Sequence, residues 1–164
     1  ISINNYYTKT KLMSEKICLK NNALVFRLNF FGYTKKGVTF SNWVVKKFNS
    51  KNKFFLVDDV YFNPLGLITI SQIILKIVNK NLFSPGIYNL GTNDQISKKN
   101  FAIKFAKMSN IFKNNFDIKK INDLVKTKRS KNMSMNTKKF ERQFNIKLPK
   151  ILNEIKKEIR YTKL

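Results

Sequence analysis

The sequence predicts an α/β fold with parallel strand pairing. Short apolar, β-branched runs recur at residues 23–28, 53–57 and 87–91. Longer segments with helical periodicity lie between them. No internal repeat and no Gly/Ser/Pro-rich linker divides the chain. Strands alternating with helices pair in parallel, because each crossover carries a helix back over the sheet. A chain of 164 residues, 43% hydrophobic and 13% aromatic, can bury one real core and should fold rather than stay disordered.

The elements follow in order. Residues 7–20 read as a helix in which Leu12, Ile17 and Leu19 lie among polar residues, and Asn21-Asn22 closes it. "ALVFRL" (23–28) reads as a strand, and "FFGYTKKG" (30–37) as a loop. Residues 39–48 are helical, with Phe40, Trp43, Val44 and Phe48 on one face. "KFFLV" (53–57) is a second strand. "DDVYFNPLG" (58–66) is a loop, since Pro64 keeps Asn63 out of helical geometry.

Residues 69–80 carry the clearest helical stripe: Ile70, Ile73, Ile74, Ile77 and Val78. Thr69 or Ser71 is the expected cap. "IYNLG" (87–91) is a third strand, and Ser97 opens a helix to about Met108. Residues 111–135 are polar and basic and show little periodicity. "TKKFERQF" (137–144) reads as a short helix. Pro149 takes a first helical position before Ile151, Leu152, Ile155 and Ile159.

The formal charge of +24 invites a nucleic-acid reading. The composition argues against it. There are 29 Lys against 4 Arg, 22 Asn, 18 Ile and only 3 Ala, which is the profile of A/T-rich codons. Base readout favours Arg for bidentate contacts, and the lysines are spread along the chain. Such a surface still attracts an anionic substrate. One cysteine, Cys18, excludes an internal disulfide, and the lack of histidine excludes Cys/His zinc sites and His-based triads. No window matches a membrane span and the start has no signal-peptide pattern, so a cytoplasmic protein is expected.

The segment "YTKTKLMSEK" holds a Tyr and a Lys at i and i+4, Tyr7 and Lys11, on one side of the first helix. A neighbouring ammonium stabilises a phenolate. Such a tyrosine can give a proton to a carbonyl oxygen as hydride reaches the carbon, or take one in reverse. In a lysine-rich chain the spacing alone also fits a solvated lysine beside a tyrosine. Elsewhere, Trp43 could stack on a base or serve the core, and Arg27 suits a structural hydrogen-bond donor. Asp58-Asp59 has no third ligand nearby, so no metal site is expected.

The surroundings of the pair carry more. "YTKTKLMSEK" resembles the Y-G-x-[ST]-K-x-x-[GA]-E segment of extended short-chain dehydrogenase/reductases that act on nucleotide sugars, most of all the dTDP-4-dehydrorhamnose reductase family. Thr10 and Glu15 match; Thr8 stands where the family prefers glycine. "ALVFRLNFFG" (23–32) looks like the family's strand running from arginine to an aromatic-glycine turn. "FFLVDDVYFNPLG" (54–66) resembles its V-x-D-Q-x-x-[SN]-P loop, with Val60 in place of glutamine. "SPGIYNLGTNDQISKKNFAIKFAK" (84–107) is similar to its late strand and following helix. "KRSKNMSMNTKKFERQFNIKLPK" (128–150) is similar to its closing segment, with Arg129, Lys139 and Pro149 matching and Ser130 replacing proline. Five blocks in the same order make chance a poor explanation.

The resemblance implies the C-terminal part of a Rossmann-like NAD(P)-binding fold plus a small α/β substrate-binding domain. Residues 1–58 would end the Rossmann-like core with its Y-x-x-x-K helix, and 59–164 would mainly form the substrate-binding subdomain. Tyr7 and Lys11 are then the catalytic residues and also contact the cofactor, NADPH or NADH. Asn29, Phe30 and Arg129 are substrate-binding candidates, Arg129 through diphosphate. The implied activity is reduction of a 4-keto sugar nucleotide such as dTDP-4-dehydrorhamnose in deoxysugar and cell-surface polysaccharide biosynthesis. Homodimer assembly is compatible with this; a nucleic-acid partner is not favoured. The five glycines (Gly32, Gly37, Gly66, Gly86, Gly91) form no G-x-x-G-x-x-G cluster, and only six residues precede Tyr7. The pyrophosphate-binding part and the family's upstream Ser/Thr are therefore expected to lie outside this sequence, leaving it inactive alone. Two alternatives stand: an NAD-dependent sugar-nucleotide epimerase or dehydratase, and a non-catalytic basic nucleic-acid-binding protein.

Overall fold

The computed structural model describes residues 6–124 and 130–162. Helix α1 (Tyr6–Lys20) turns through Asn21-Asn22 into strand β1 (Leu24–Leu28). Asn22 adopts φ 51°, a left-handed geometry that asparagine tolerates. The Ala23 amide donates to Cys18 O at 3.1 Å, so the chain reverses and β1 runs back along α1. After β2 (Phe30–Phe31), Thr39 caps α2 (Phe40–Asn49) by accepting from the Asn42 amide. Then come β3 (Phe54–Val57), β4 (Tyr61–Phe62), β5 (Leu65–Gly66), α3 (Leu67–Asn79) and β6 (Gly86–Leu90). β7 (Ile96–Ser97) leads into α4 (Lys98–Met108), whose cap is Ser97 as expected. The described chain ends with β8 (Phe116–Lys119), α5 (Ile121–Leu124), α6 (Lys138–Phe144) and α7 (Ile151–Thr162).

The expected parallel pairing is present. β1 pairs with β6 in register from Leu24–Gly86 to Leu28–Leu90. β3 pairs in parallel with β8, and β2 with β5, while the short β4–β7 pair is antiparallel. Side chains alternate across β1. Leu24, Phe26 and Leu28 face one core with Ile70, Ile73 and Ile77 of α3 and Phe140 and Phe144 of α6. Arg27 turns to the other face, where α1 lies. A second core joins α2, β3, α4 and α7 around Phe31, Phe48, Phe101 and Phe105, all fully buried. Its rings meet mostly edge to face, as between Phe31 and Phe101 with centroids 4.9 Å apart.

The structure corrects several expectations. The 30–37 and 58–66 loops contain the two-residue strands β2, β4 and β5, because each pairs with a distant segment that local sequence does not reveal. α3 begins two residues early, and neither Thr69 nor Ser71 caps it. Ser71 Oγ donates back to Leu67 O, while the carboxylate of Glu154 on α7 accepts from the Gly66 amide and from Thr69 Oγ1. Pro149 precedes the first helical residue by two positions; the Ile151 amide at the helix start donates to Asp94 Oδ1 at 2.8 Å. Residues 111–135 hold a real strand, β8, whose alternation spans only the four residues Phe116–Lys119 and which forms by pairing with β3.

Candidate active site

α1 presents the Tyr–Lys pair as its spacing requires. Lys11 Nζ stands 5.6 Å from the centroid of the Tyr7 ring, within cation–π range. Thr10 Oγ1 donates to Tyr7 O and Ser14 Oγ to Thr10 O, so both hydroxyls fold onto the helix backbone. Tyr7 is 70% exposed.

The helix is tied to β1 at Glu15. Arg27 Nε donates to Glu15 Oε1 at 2.7 Å, and a second guanidinium nitrogen reaches Oε2 at 2.5 Å. The hydrogen bond from Arg27 holds the Glu15 carboxyl below its usual range, and the same bond pushes Arg27 further up. Tyr7 lies eight residues before Glu15, about 12 Å along the helix. The chain reverses at Asn21-Asn22, so Tyr7, near the start of α1, lies toward the end of β1 from which the chain continues to Asn29 and Phe30. The Tyr–Lys pair and the Asn29–Phe30 candidates thus belong to one end of the sheet.

Those two candidates differ in freedom. Phe30 is 50% exposed. The Asn29 carboxamide is engaged, with Nδ2 donating to Met133 O at 2.9 Å, and its backbone carbonyl accepts from Leu65. Arg129 lies outside the described residues. The segment after it is pinned, because Tyr61 exchanges backbone hydrogen bonds with Lys131 and Met133, and Asn63 bonds both ways with Met135.

Asp58 and Asp59 are occupied by cations of the chain itself. Asp58 pairs with Lys120 at 2.9 Å and Lys99 at 3.6 Å; Asp59 pairs with Lys131 at 2.9 Å and accepts from the Ile121 amide. Each carboxyl is held below its usual range, chiefly by the lysine hydrogen bond. No group of three metal-ligating side chains occurs among the described residues, and no helix there is long and apolar enough to cross a membrane.

Sequence reasoning missed two features. One is an apolar cavity of ≈160 Å³ lined by Phe40, Trp43, Phe55, Leu56, Val57 and Ile121, with Lys98 at its edge. The Phe40 and Trp43 rings stack 5.6 Å apart, and Lys98 Nζ sits over Phe40. The cluster Phe40–Trp43 was visible as one helix face, but β3 and α5 complete it from distant parts of the chain. The other is the buried pair Glu154 and Glu158, each 3% exposed, one turn apart on α7. Their i, i+4 spacing beside Ile155 and Ile159 was the available signal.

The glycines offer no phosphate cradle. A Cβ at Gly32 or Gly66 would meet the carboxylates of Glu158 and Glu154, and one at Gly91 would strike Asn63. Acidic surroundings repel a pyrophosphate. The surroundings of Gly32, Gly66 and Gly91 therefore do not fit the pyrophosphate of a dinucleotide.

Comparison with known proteins accounts for this arrangement. Residues 3–163 match the RmlD substrate binding domain. An Escherichia coli dTDP-4-dehydrorhamnose reductase is 23% identical over 170 residues, covering 92% of this chain and 56% of that protein. The Bacillus anthracis dTDP-4-dehydrorhamnose reductase, solved in complex with NADP, superposes with a TM-score of 0.83 at 18% identity, covering 96% of this chain and 55% of that one. The dTDP-glucose 4,6-dehydratase of the same organism, in complex with NAD, gives 0.76 at 14% identity, covering 99% and 53%. The fold is thus the Rossmann-like α/β fold of these enzymes, and the chain spans a little over half their length. The match covers nearly the whole sequence, so the chain belongs to the RmlD substrate binding domain family.

Proposed function

We propose that the chain is the substrate-binding and proton-donating part of a nucleotide-sugar oxidoreductase that reduces a 4-keto sugar nucleotide resembling dTDP-4-dehydrorhamnose. One observation carries the reading: Tyr7 and Lys11 meet on one face of α1 in a chain of this family. Tyr7 donates its hydroxyl proton to the C4 carbonyl oxygen, and Lys11 keeps the phenol oriented and favours the anion left behind. NADPH or NADH supplies the hydride when bound. Its pyrophosphate is held by residues outside this sequence, in keeping with the share of the relatives that the chain does not cover. Residues 1–58 close a Rossmann-like core, and 59–164 mainly build the substrate side, with β6 returning to pair with β1.

The cavity of Phe40, Trp43 and Phe55 suits the planar base of the nucleotide, with Lys98 toward phosphate. Phe30 faces the sugar, and Arg129 neutralises diphosphate. Asn29 acts through Met133, which fixes the closing segment beside the site. An epimerase or dehydratase is the second reading, favoured by the likeness to the dTDP-glucose 4,6-dehydratase fold.

The test joins this chain to the nucleotide-binding half of a dTDP-4-dehydrorhamnose reductase and follows NADPH consumption with dTDP-4-dehydrorhamnose. Turnover is expected, with a loss of at least a hundredfold in Tyr7→Phe. Full activity in Tyr7→Phe would remove the catalytic assignment. Redox-neutral conversion of a dTDP-sugar without net NADPH loss would favour the second reading.

A further inference from the structure

Helix α1 has fifteen residues and buries none of them. Met13, Ile17 and Leu19 are 56%, 62% and 41% exposed. A surface helix normally takes its orientation from an apolar stripe pressed on the core. Within this chain, Leu12 and Cys18 are half-buried and no residue of α1 is fully buried, so apolar contact fixes the rotation of α1 only weakly. The Glu15–Arg27 pair links the helix to the sheet, with side chains 15% and 32% exposed. A planar guanidinium meeting both oxygens of a carboxylate admits one relative orientation. Tyr7, Lys11 and Glu15 stand at i, i+4 and i+8, so they share one stripe of the helix.

We propose that Glu15 and Arg27 are positioning residues for the Tyr7–Lys11 pair. The fork on the carboxylate sets both the rotation and the axial register of α1 on β1. A slip by one residue would turn the stripe by about 100° and carry Tyr7 away from the end of β1. The clamp itself stands on the geometry; its consequence for turnover rests on the reading of Tyr7 as proton donor.

Amide hydrogen exchange on this chain tests the clamp. In Glu15→Gln and in Arg27→Gln, protection of the α1 amides should fall at least tenfold while the β3–β8 amides keep theirs. The reversed pair Glu15→Arg/Arg27→Glu should regain much of the loss. Unchanged α1 protection, an equal loss across the molecule, or no recovery in the reversed pair would each overturn the proposal. The reductase assay adds an independent arm. Glu15→Gln should lower kcat about tenfold with KM unchanged, and the reversed pair should recover it. Full kcat in a variant whose α1 is loosened would refute positioning. Inactivity of the native joined enzyme would instead count against the role of Tyr7, with the exchange result still deciding the clamp.

Discussion

The carboxylate of Glu154 accepts the amide hydrogen of Gly66 at 3.0 Å across 88 residues of sequence, so the last helix caps the start of α3. The same carboxylate takes the hydroxyl hydrogen of Thr69 at 2.9 Å. Lys157 Nζ reaches Thr69 Oγ1 and Gln72 Oε1, each at 2.6 Å. Glu154→Ala leaves the Gly66 amide and the Thr69 hydroxyl hydrogen without an acceptor in a buried place. The expected loss is about 1–3 kcal/mol, read as a lower midpoint in urea unfolding with an unchanged slope.

Glu158 gives the pH dependence. Burial pushes its carboxyl above the ordinary glutamate range, and the Glu154 charge adds to this, against the Ile68 and Tyr33 amides that favour the anion and the nearby Lys157. A carboxyl raised in the folded state stabilises the fold fully below its unfolded value and loses that contribution as pH rises through the folded value. Glu158→Gln should therefore gain stability relative to the native chain as pH rises above the usual glutamate range, then level off. Urea midpoints of both proteins across the acid-to-neutral range check this. Glu15, Asp58 and Asp59 act in the opposite sense, since their lowered carboxyls lose stabilisation as pH falls.

Asn63 is a buried junction. Its Nδ2 donates to Thr92 O and Met135 O, and its Oδ1 accepts from the Met135 amide, all at 2.9 Å. Asn63→Ala removes three hydrogen bonds and leaves buried backbone groups unpaired, a loss of about 1–3 kcal/mol. Limited proteolysis should show cleavage moving to residues 130–137, the segment that Asn63 holds.

In the proposed function, Trp43 stacks on the nucleotide base. It is the single tryptophan of the chain and stacks on Phe40 at the cavity. Loss of a stacking ring costs about 1–3 kcal/mol of base affinity. Trp43→Leu should weaken dTDP binding about fivefold or more in calorimetry.

Local sequence made the major elements legible because their signals are local. Ser97 capped α4 as expected, and of the expected stripe Ile70, Ile73 and Ile77 found the core while Ile74 and Val78 stay exposed. The Tyr7–Lys11 contact followed from helical spacing alone. What escaped depends on distant partners. The cap of α3 comes from Glu154, and the start of α7 is fixed by Asp94. β8 became a strand through pairing with β3, against a polar sequence. The apolar cavity needed β3 and α5 beside α2. On α1, Ile17 and Leu19 are exposed and Leu12 is half-buried, and the Glu15–Arg27 ion pair ties the helix to β1, a link that needs a residue twelve positions away.

The central claim, that this chain holds the nucleotide of a nucleotide-sugar substrate, is tested most directly by a ¹H–¹⁵N spectrum of the chain titrated with dTDP. The account predicts saturable shifts at the Trp43 indole and at the amides of Phe40, Phe55 and Val57. No shift at millimolar dTDP, or the same shifts produced equally by a single-stranded oligonucleotide lacking a diphosphate, would contradict it.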